Sequence, residues 1–268
     1  MQVNSQATFW THLDELRRVL WRIAVVLLVV MVVAFSFKTL LFDILLAPHR
    51  SDFITYKLFS ALGETIHVSA LRLPDFKVDL INVNLTAPFL LHISSAFYMA
   101  LLITFPFIIL TLFRFIAPAL RSNERRYSAR VIFFSCVCFY AGVLLNYFLI
   151  FPLSFRFLAT YEVSTSVVNT ITLSSYMSTL TMLSLLMGAV FEMPVIAWFL
   201  AKTGMLKAEF LRKHRKKAIV VLLIVAAIIT PTSDIFTLLL VFAPVYMLYE
   251  VSIFIMHKSA RDGKPHCP

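Results

Sequence analysis

Apolar residues run through this chain in long blocks, and polar residues gather between the blocks rather than alternating within them. Blocks that approach the ~20 residues of a helical membrane span are Val19–Phe37, Thr86–Phe113, Val131–Phe151, Leu173–Leu200, Ala218–Ile229 and Ile235–Tyr249. The pattern predicts an all-α membrane protein of six transmembrane helices in a single polytopic domain, with residues 257–268 as a tail. An even number of spans puts both termini on one side. The first block follows the acidic and basic stretch HLDELRR and has no small-residue cleavage site after it, so it reads as a span and not as a cleaved signal peptide.

The last two blocks are short. Twelve and fifteen residues rise roughly 18 and 22 Å at 1.5 Å per residue, against a hydrocarbon core of about 30 Å. Either polar flanks extend these helices or the bilayer thins beside them. The link TPTSD, residues 230 to 234, predicts an antiparallel pair.

Composition agrees with the pattern. At 60% hydrophobic and 14% charged residues, with 26 Phe, a chain of 268 residues has too little polar surface to coat a soluble globule. A net charge of +10 suits either nucleic acid or a membrane surface, and the distribution of charge decides between them. Lys and Arg occur three times before and within the start of the first span, five times around the second-to-third connection, seven times around the fourth-to-fifth connection and three times in the tail. Only Lys38, Arg50, Lys57, Arg72, Lys77 and Arg156 fall on the other side. The positive-inside rule then makes the termini and the two basic connections cytoplasmic, and no nucleic-acid partner is called for. Residues 38–85 form a long outer segment with short helices or strands, and Pro152–Thr172, rich in Ser and Thr, an outer cap. Cys136 and Cys138 within a span and Cys267 in the tail imply neither a disulfide nor a zinc framework.

The sequence has no HExxH, no GxSxG and no GxxxxGK[ST], and only five glycines, so no enzymatic activity, metal or cofactor is expected. Glu192 lies inside the fourth span, two residues before Pro194, whose missing N–H frees the Val190 carbonyl. Intramembrane carboxyls are costly, and two readings stand open: a protonated side chain bonded to a neighbouring helix, or a functional group. In the second reading Glu192 would serve a proton-coupled small-solute transporter. Such folds commonly show paired broken helices from two repeats, whereas Pro106, Pro194 and Pro244 interrupt spans without symmetry. His92 and Asn146 read as structural hydrogen-bonding residues between helices, and Glu250 as a partner for headgroups or a basic connection.

On the cytoplasmic side, acids stand among cations. THLDELRRVL, residues 11 to 20, sets Asp14 and Glu15 before the first span; FIAPALRSNERR, residues 115 to 126, sets Glu124 among Arg121, Arg125 and Arg126. Local salt bridges are one account of each. Together with FPLSFRFL at 151 to 158, FEMPV around Glu192 and TPTSD, these motifs resemble, in order and approximate spacing over nearly the whole chain, the TatC family, the multispanning receptor subunit of the twin-arginine protein translocase. The resemblance implies a receptor in the bacterial inner membrane for folded precursors with paired-arginine signal peptides. It implies export driven by the proton-motive force in a hetero-oligomeric complex with small single-span TatA- and TatB-like subunits. It assigns signal-peptide binding to Glu15 and Glu124, with Leu16, Arg17, Phe115 and Pro118 around them. Pro48, Glu192, Thr230, Asp234 and Thr237 match positions of transport or assembly. Two departures are visible: Leu238 stands where the family often has Gln, with Thr237 as the nearby polar group, and the outer segment at 49 to 85 is longer than usual.

Acids suit such a task, because an arginine fork meets carboxylate oxygens two at a time while lysine presents a point charge. The charge asymmetry generates a topological test. In intact cells a membrane-impermeant thiol reagent should leave Cys267 unlabelled and should label it once the membrane is opened; labelling from outside would reverse the orientation.

Overall fold

The computed structural model describes residues 5–66, 78–116, 128–161, 170–202, 206, 208–230 and 234–262. Helices account for nearly all of them, because a chain in hydrocarbon has no water to satisfy its N–H and C=O groups and a helix satisfies them internally. Among the described residues, five helical stretches are long and apolar enough to cross a membrane: Leu13–Ser36, Ala87–Phe115, Ala129–Thr160, Leu173–Lys202 and Ile235–His257. The helix Arg215–Ile229 has 15 residues and is about 22 Å long.

Several boundaries differ from those the apolar blocks predict. The last helix does not stop near Tyr249; it runs over 28 residues, Ile235–Asp262, well into the segment expected as tail. Its polar continuation keeps helical hydrogen bonds where water is available, so hydropathy alone underestimates it. The third span likewise continues past Phe151: Ser128–Leu145 passes through a π turn, Asn146–Ile150, into Phe151–Thr160, taking up much of the expected outer cap. Pro106 and Pro244 stay inside continuous helices. Only Pro194 coincides with a break, between Leu173–Phe191 and Met193–Lys202.

Two compact units divide the chain. One comprises Met1–Leu41 and His92–Val137. Its buried residues include Val19, Leu41, Ala96, Ala100 and Phe105, and the rings of Phe35 and His92 stack with centroids 3.8 Å apart. The other comprises Phe42–Leu91 and Cys138–Pro268. Its core joins Ile150, Leu183, Met187, Leu222, Ala226, Val241, Val245 and Tyr249. In this unit the outer segment folds as helices Lys38–Leu46 and Ile54–Ile66, the first beginning in the other unit, with a 3-10 turn Ala47–His49 between them. Leu80–Ile81 then pairs in parallel with Ile171–Thr172, Leu80 opposite Ile171.

Glycine sets the closest helix approach. A Cβ on Gly142 would lie 2.6 Å from the Met187 carbonyl oxygen and 2.8 Å from Phe191 Cγ. Membrane helices pack closely through such small residues, and nearby Asn146 donates Nδ2–H to Ser184 Oγ at 2.8 Å, the interhelical role expected of it. Since the obstructing atom is backbone, Gly142→Ala should destabilise the protein by about 1–3 kcal/mol. Thermal unfolding of the purified protein in detergent measures this; an unchanged midpoint would contradict the close approach.

Candidate functional site

The first acidic motif lies on the helix Ser5–Ser36, just inside the start of the apolar stretch at Leu13. Asp14, Glu15 and Arg17 are exposed, Leu16 is half-buried, and Val19 is buried. Successive helical residues turn by about 100°, so Asp14 and Glu15 address different directions. Glu15 shares its face with Arg18 and Val19, one turn on. In the same unit the helix Ala87–Ile116 ends two residues before Pro118, as the restriction on residues preceding proline favours. Half-buried Phe115 and exposed Arg114 occupy its last turn, where a cation opposes the negative end of the helix dipole. Pro118 and Glu124 lie outside the described residues, in the connection 117–127. The described chain resumes with the helix Ser128–Leu145, which carries exposed Arg130.

In the other unit, the fourth span breaks at Glu192. Phe191 ends one helix, and the Glu192 N–H turns to the carbonyls of Ala189 and Val190. Its own carbonyl accepts from the N–H groups of Val195 and Ile196, both at 3.0 Å, starting the next helix around Pro194. The break thus answers the proline by ending and restarting the ladder, and holds a half-buried carboxyl at the bend.

Thr230, Asp234 and Thr237 organise the link between the last two helices. Thr230 closes Arg215–Ile229: its N–H bonds the Ala226 carbonyl at 2.9 Å and its hydroxyl donates to the same oxygen at 3.1 Å. Asp234 caps Ile235–Asp262, its Oδ1 accepting the Thr237 N–H at 2.6 Å. A carboxylate is favourable here because four N–H groups at a helix start lack partners and the dipole is positive. Thr237 is fully buried and borders a cavity of about 360 Å³ with Phe151, Ser154, Phe155 and Tyr176. Near the middle of this helix Glu250 pairs with Arg215 at 2.6 Å and accepts the Tyr246 hydroxyl at 3.2 Å, so it meets the basic connection.

Pro48 is buried in the outer segment, and its carbonyl accepts the Tyr56 hydroxyl at 3.1 Å. The same hydroxyl lies 3.0 Å from the Pro152 carbonyl, tying the outer segment to the third span. Tyr147 donates to the Ile44 carbonyl at 2.6 Å, Tyr176 to the Leu45 carbonyl at 3.0 Å, and Thr55 to that of Phe148. Burial pushes the Tyr56 hydroxyl pKa up, with the Arg156 guanidinium pulling slightly the other way, so it remains a donor. The sequence reading passed over these tyrosines. For Tyr147 and Tyr176 the signal was a polar-tipped aromatic near the end of an apolar block, a position where one end is dry and the other needs a partner. No group of three His, Cys, Asp or Glu able to hold a metal ion occurs among the described residues.

Several helices long and apolar enough to cross a membrane define a polytopic membrane protein. The family model for the Sec-independent protein translocase protein TatC matches residues 11–244. A TatC protein of Blattabacterium sp. subsp. Periplaneta americana is 34% identical over 254 residues, covering 94% of this chain and 95% of that protein. The TatC of Carboxydothermus hydrogenoformans is 31% identical, covering 92% of each chain. A crystal structure of the twin-arginine translocase receptor TatC superimposes with a TM-score of 0.72 at 31% identity, covering 93% of this chain and all of that one. The chain belongs to the TatC family, and is therefore a component of protein transport by the twin-arginine route.

The cap geometry separates structure from charge at Asp234. Asp234→Ala should lower stability by about 1 kcal/mol, while Asp234→Asn, which keeps an acceptor oxygen, should lose only a small part of that. Thermal unfolding of both variants checks it, and equal midpoints for Ala and parent would show that the cap contributes nothing.

Proposed function

We propose that this protein receives paired-arginine signal peptides of folded precursors at a cytoplasmic acidic site centred on Glu15 and Glu124. The observation that supports this reading is Glu15, exposed just inside the start of the long apolar helical stretch Leu13–Ser36; Glu124 lies outside the described residues. Leu16, Arg17, Phe115 and Pro118 shape the surroundings. The cations nearby repel basic peptides in general, so only a pair of guanidinium groups aligned with both carboxylates gains net attraction. Exposed ion pairs contribute about 0–1 kcal/mol each, whereas charge-assisted bonds to a preorganised, partly desolvated acid reach about 1.5–3 kcal/mol. Selectivity requires the second range.

In this reading the protein resides in the bacterial inner membrane as a single polytopic domain, with its termini on the cytoplasmic side. It has no enzymatic step of its own. It assembles with TatA- and TatB-like single-span subunits, and the proton-motive force drives export. Pro48, Glu192, Thr230, Asp234 and Thr237 serve transport or assembly, the first through the outer segment, Glu192 through the bend, and the rest through the link between the last two helices.

Binding of a synthetic paired-arginine peptide to the purified full-length protein tests the site. Glu124→Ala should weaken binding roughly tenfold or more, equivalent to about 1.4 kcal/mol, and Glu15→Ala should weaken it as well. A Lys-Lys peptide should bind the parent protein less well. Asp14→Ala, on another face of the helix, should matter less. Unchanged affinity in both glutamate variants, with native thermal unfolding, would remove the proposed site. Reconstitution gives the companion test: Glu192→Gln should leave peptide affinity intact, and proton or solute movement by the parent chain alone in liposomes, lost in Glu192→Gln, would favour the carrier instead.

A further inference from the structure

The connection that follows the fourth span is densely basic, and the structure divides its charges unequally. Arg215 is engaged by Glu250 at 2.6 Å. Arg212, Lys213, Lys216 and Lys217 are exposed, and none has an acidic partner among the described residues. They crowd around the start of the helix Arg215–Ile229, whose first turn holds no acid and whose preceding residue, His214, supplies no side-chain cap. Cations at the positive end of a helix dipole repel it. Exposed Glu209 stands one turn before Arg212 and Lys213 in the preceding short helix, so the unbalanced charge falls on Lys216 and Lys217 at the helix start, and a fixed external anion relieves it.

The remainder of this helix says what kind of anion. At 100° per residue, Leu222, Ala226 and Ile229 fall on one face and are buried in the core. Val220, Val221, Ile224 and Ile228 fall on the opposite face and are 58%, 56%, 53% and 71% exposed. Lys216 and Lys217 stand at the head of this second face, and exposed Phe210 lies in the short helix Ala208–Lys213 just before it. The surface therefore couples a four-cation head to an apolar stripe running into the hydrocarbon. A free phosphate uses only the head, and a neutral lipid only the stripe.

We propose that this surface is a binding site for an anionic glycerophospholipid. The phosphate headgroup contacts Lys216 and Lys217, with Arg212 and Lys213 completing the cationic field, and an acyl chain lies along Val220, Ile224 and Ile228. The Arg215–Glu250 pair is internal and does not take part.

The test is displacement of a fluorescent phosphatidylglycerol from the purified full-length protein in a neutral detergent. Attraction of about 1 kcal/mol for each basic residue near an anionic surface makes a preference of at least about tenfold for phosphatidylglycerol over phosphatidylcholine of the same chains the expected result. Arg212→Gln, Lys213→Gln, Lys216→Gln and Lys217→Gln combined should reduce that preference to within about twofold, as should roughly 0.5 M salt by screening. Lys216→Arg with Lys217→Arg should keep it. If the fourfold variant unfolds early, Lys216→Gln with Lys217→Gln alone should still lose most of the preference. Equal affinity for the two lipids in the parent protein, or a preference untouched by the Gln variants, overturns the site. Displacement by inorganic phosphate at the same concentration as the lipid overturns the lipid assignment in favour of a simple anion site.

Discussion

Everything in this fold answers to the cost of an unpaired backbone group in hydrocarbon, several kcal/mol for each N–H or C=O. Long helices are the default answer, and the informative places are those where the ladder is interrupted. Each described interruption is met by a specific group. At the Glu192 bend the ladder closes on Ala189 and reopens from the Glu192 carbonyl. Thr230 turns its hydroxyl back onto Ala226, and Asp234 accepts the Thr237 N–H, so the two ends facing the 230–234 link are both closed by side chains. Between Leu145 and Phe151 the chain widens into a π turn, and Asn146 at its start bonds across to Ser184.

That accounting gives several family positions a physical meaning before any role in transport is assigned. Asp234 is a cap, Thr230 a helix stop, and the Pro48 carbonyl one of two acceptors for a single buried tyrosine hydroxyl. A substitution at any of them perturbs the scaffold as well as whatever chemistry it performs. Glu192 differs, since the bend around it is made by backbone and proline. Its half-buried carboxyl is therefore not what makes the bend.

Much of the architecture was readable from the sequence because a bilayer makes hydropathy nearly equivalent to structure. Five of the six apolar blocks coincide to within a residue with, or lie inside, stretches able to span, and the sixth lies in the short helix Arg215–Ile229. Hydropathy failed at ends that leave the hydrocarbon. The helix from Ile235 keeps turning through polar residues to Asp262, and the third span runs on through Pro152, which is harmless in a first helical turn. The candidate site residues were picked out in a different way. Glu15 and Glu124 stood out as acids in a cationic field, and Glu192 as a carboxyl beside a proline, all local anomalies. The outer tyrosines escaped notice because their partners are backbone carbonyls up to 131 residues away, as Tyr176 is from Leu45. No local pattern encodes such a pairing.

The charges on the basic side follow from one further inequality. Exposed cations contribute little to folding, yet they dominate the potential that an approaching molecule meets, because their fields add over a Debye length of about 8–10 Å. One sign of charge cannot serve both the anionic headgroup and the cationic peptide that are proposed as ligands. The two kinds of charge lie in different units: exposed Arg212, Lys213, Lys216 and Lys217 in one, and exposed Asp14 and Glu15 in the other. Glu250, the acid that reaches the cluster from the last helix, is already closed by Arg215 and Tyr246. Acids in the first unit then form a small exception within a basic surface, and that is the condition the proposed site needs if two carboxylates are to distinguish a pair of arginines from the positive charge that surrounds them.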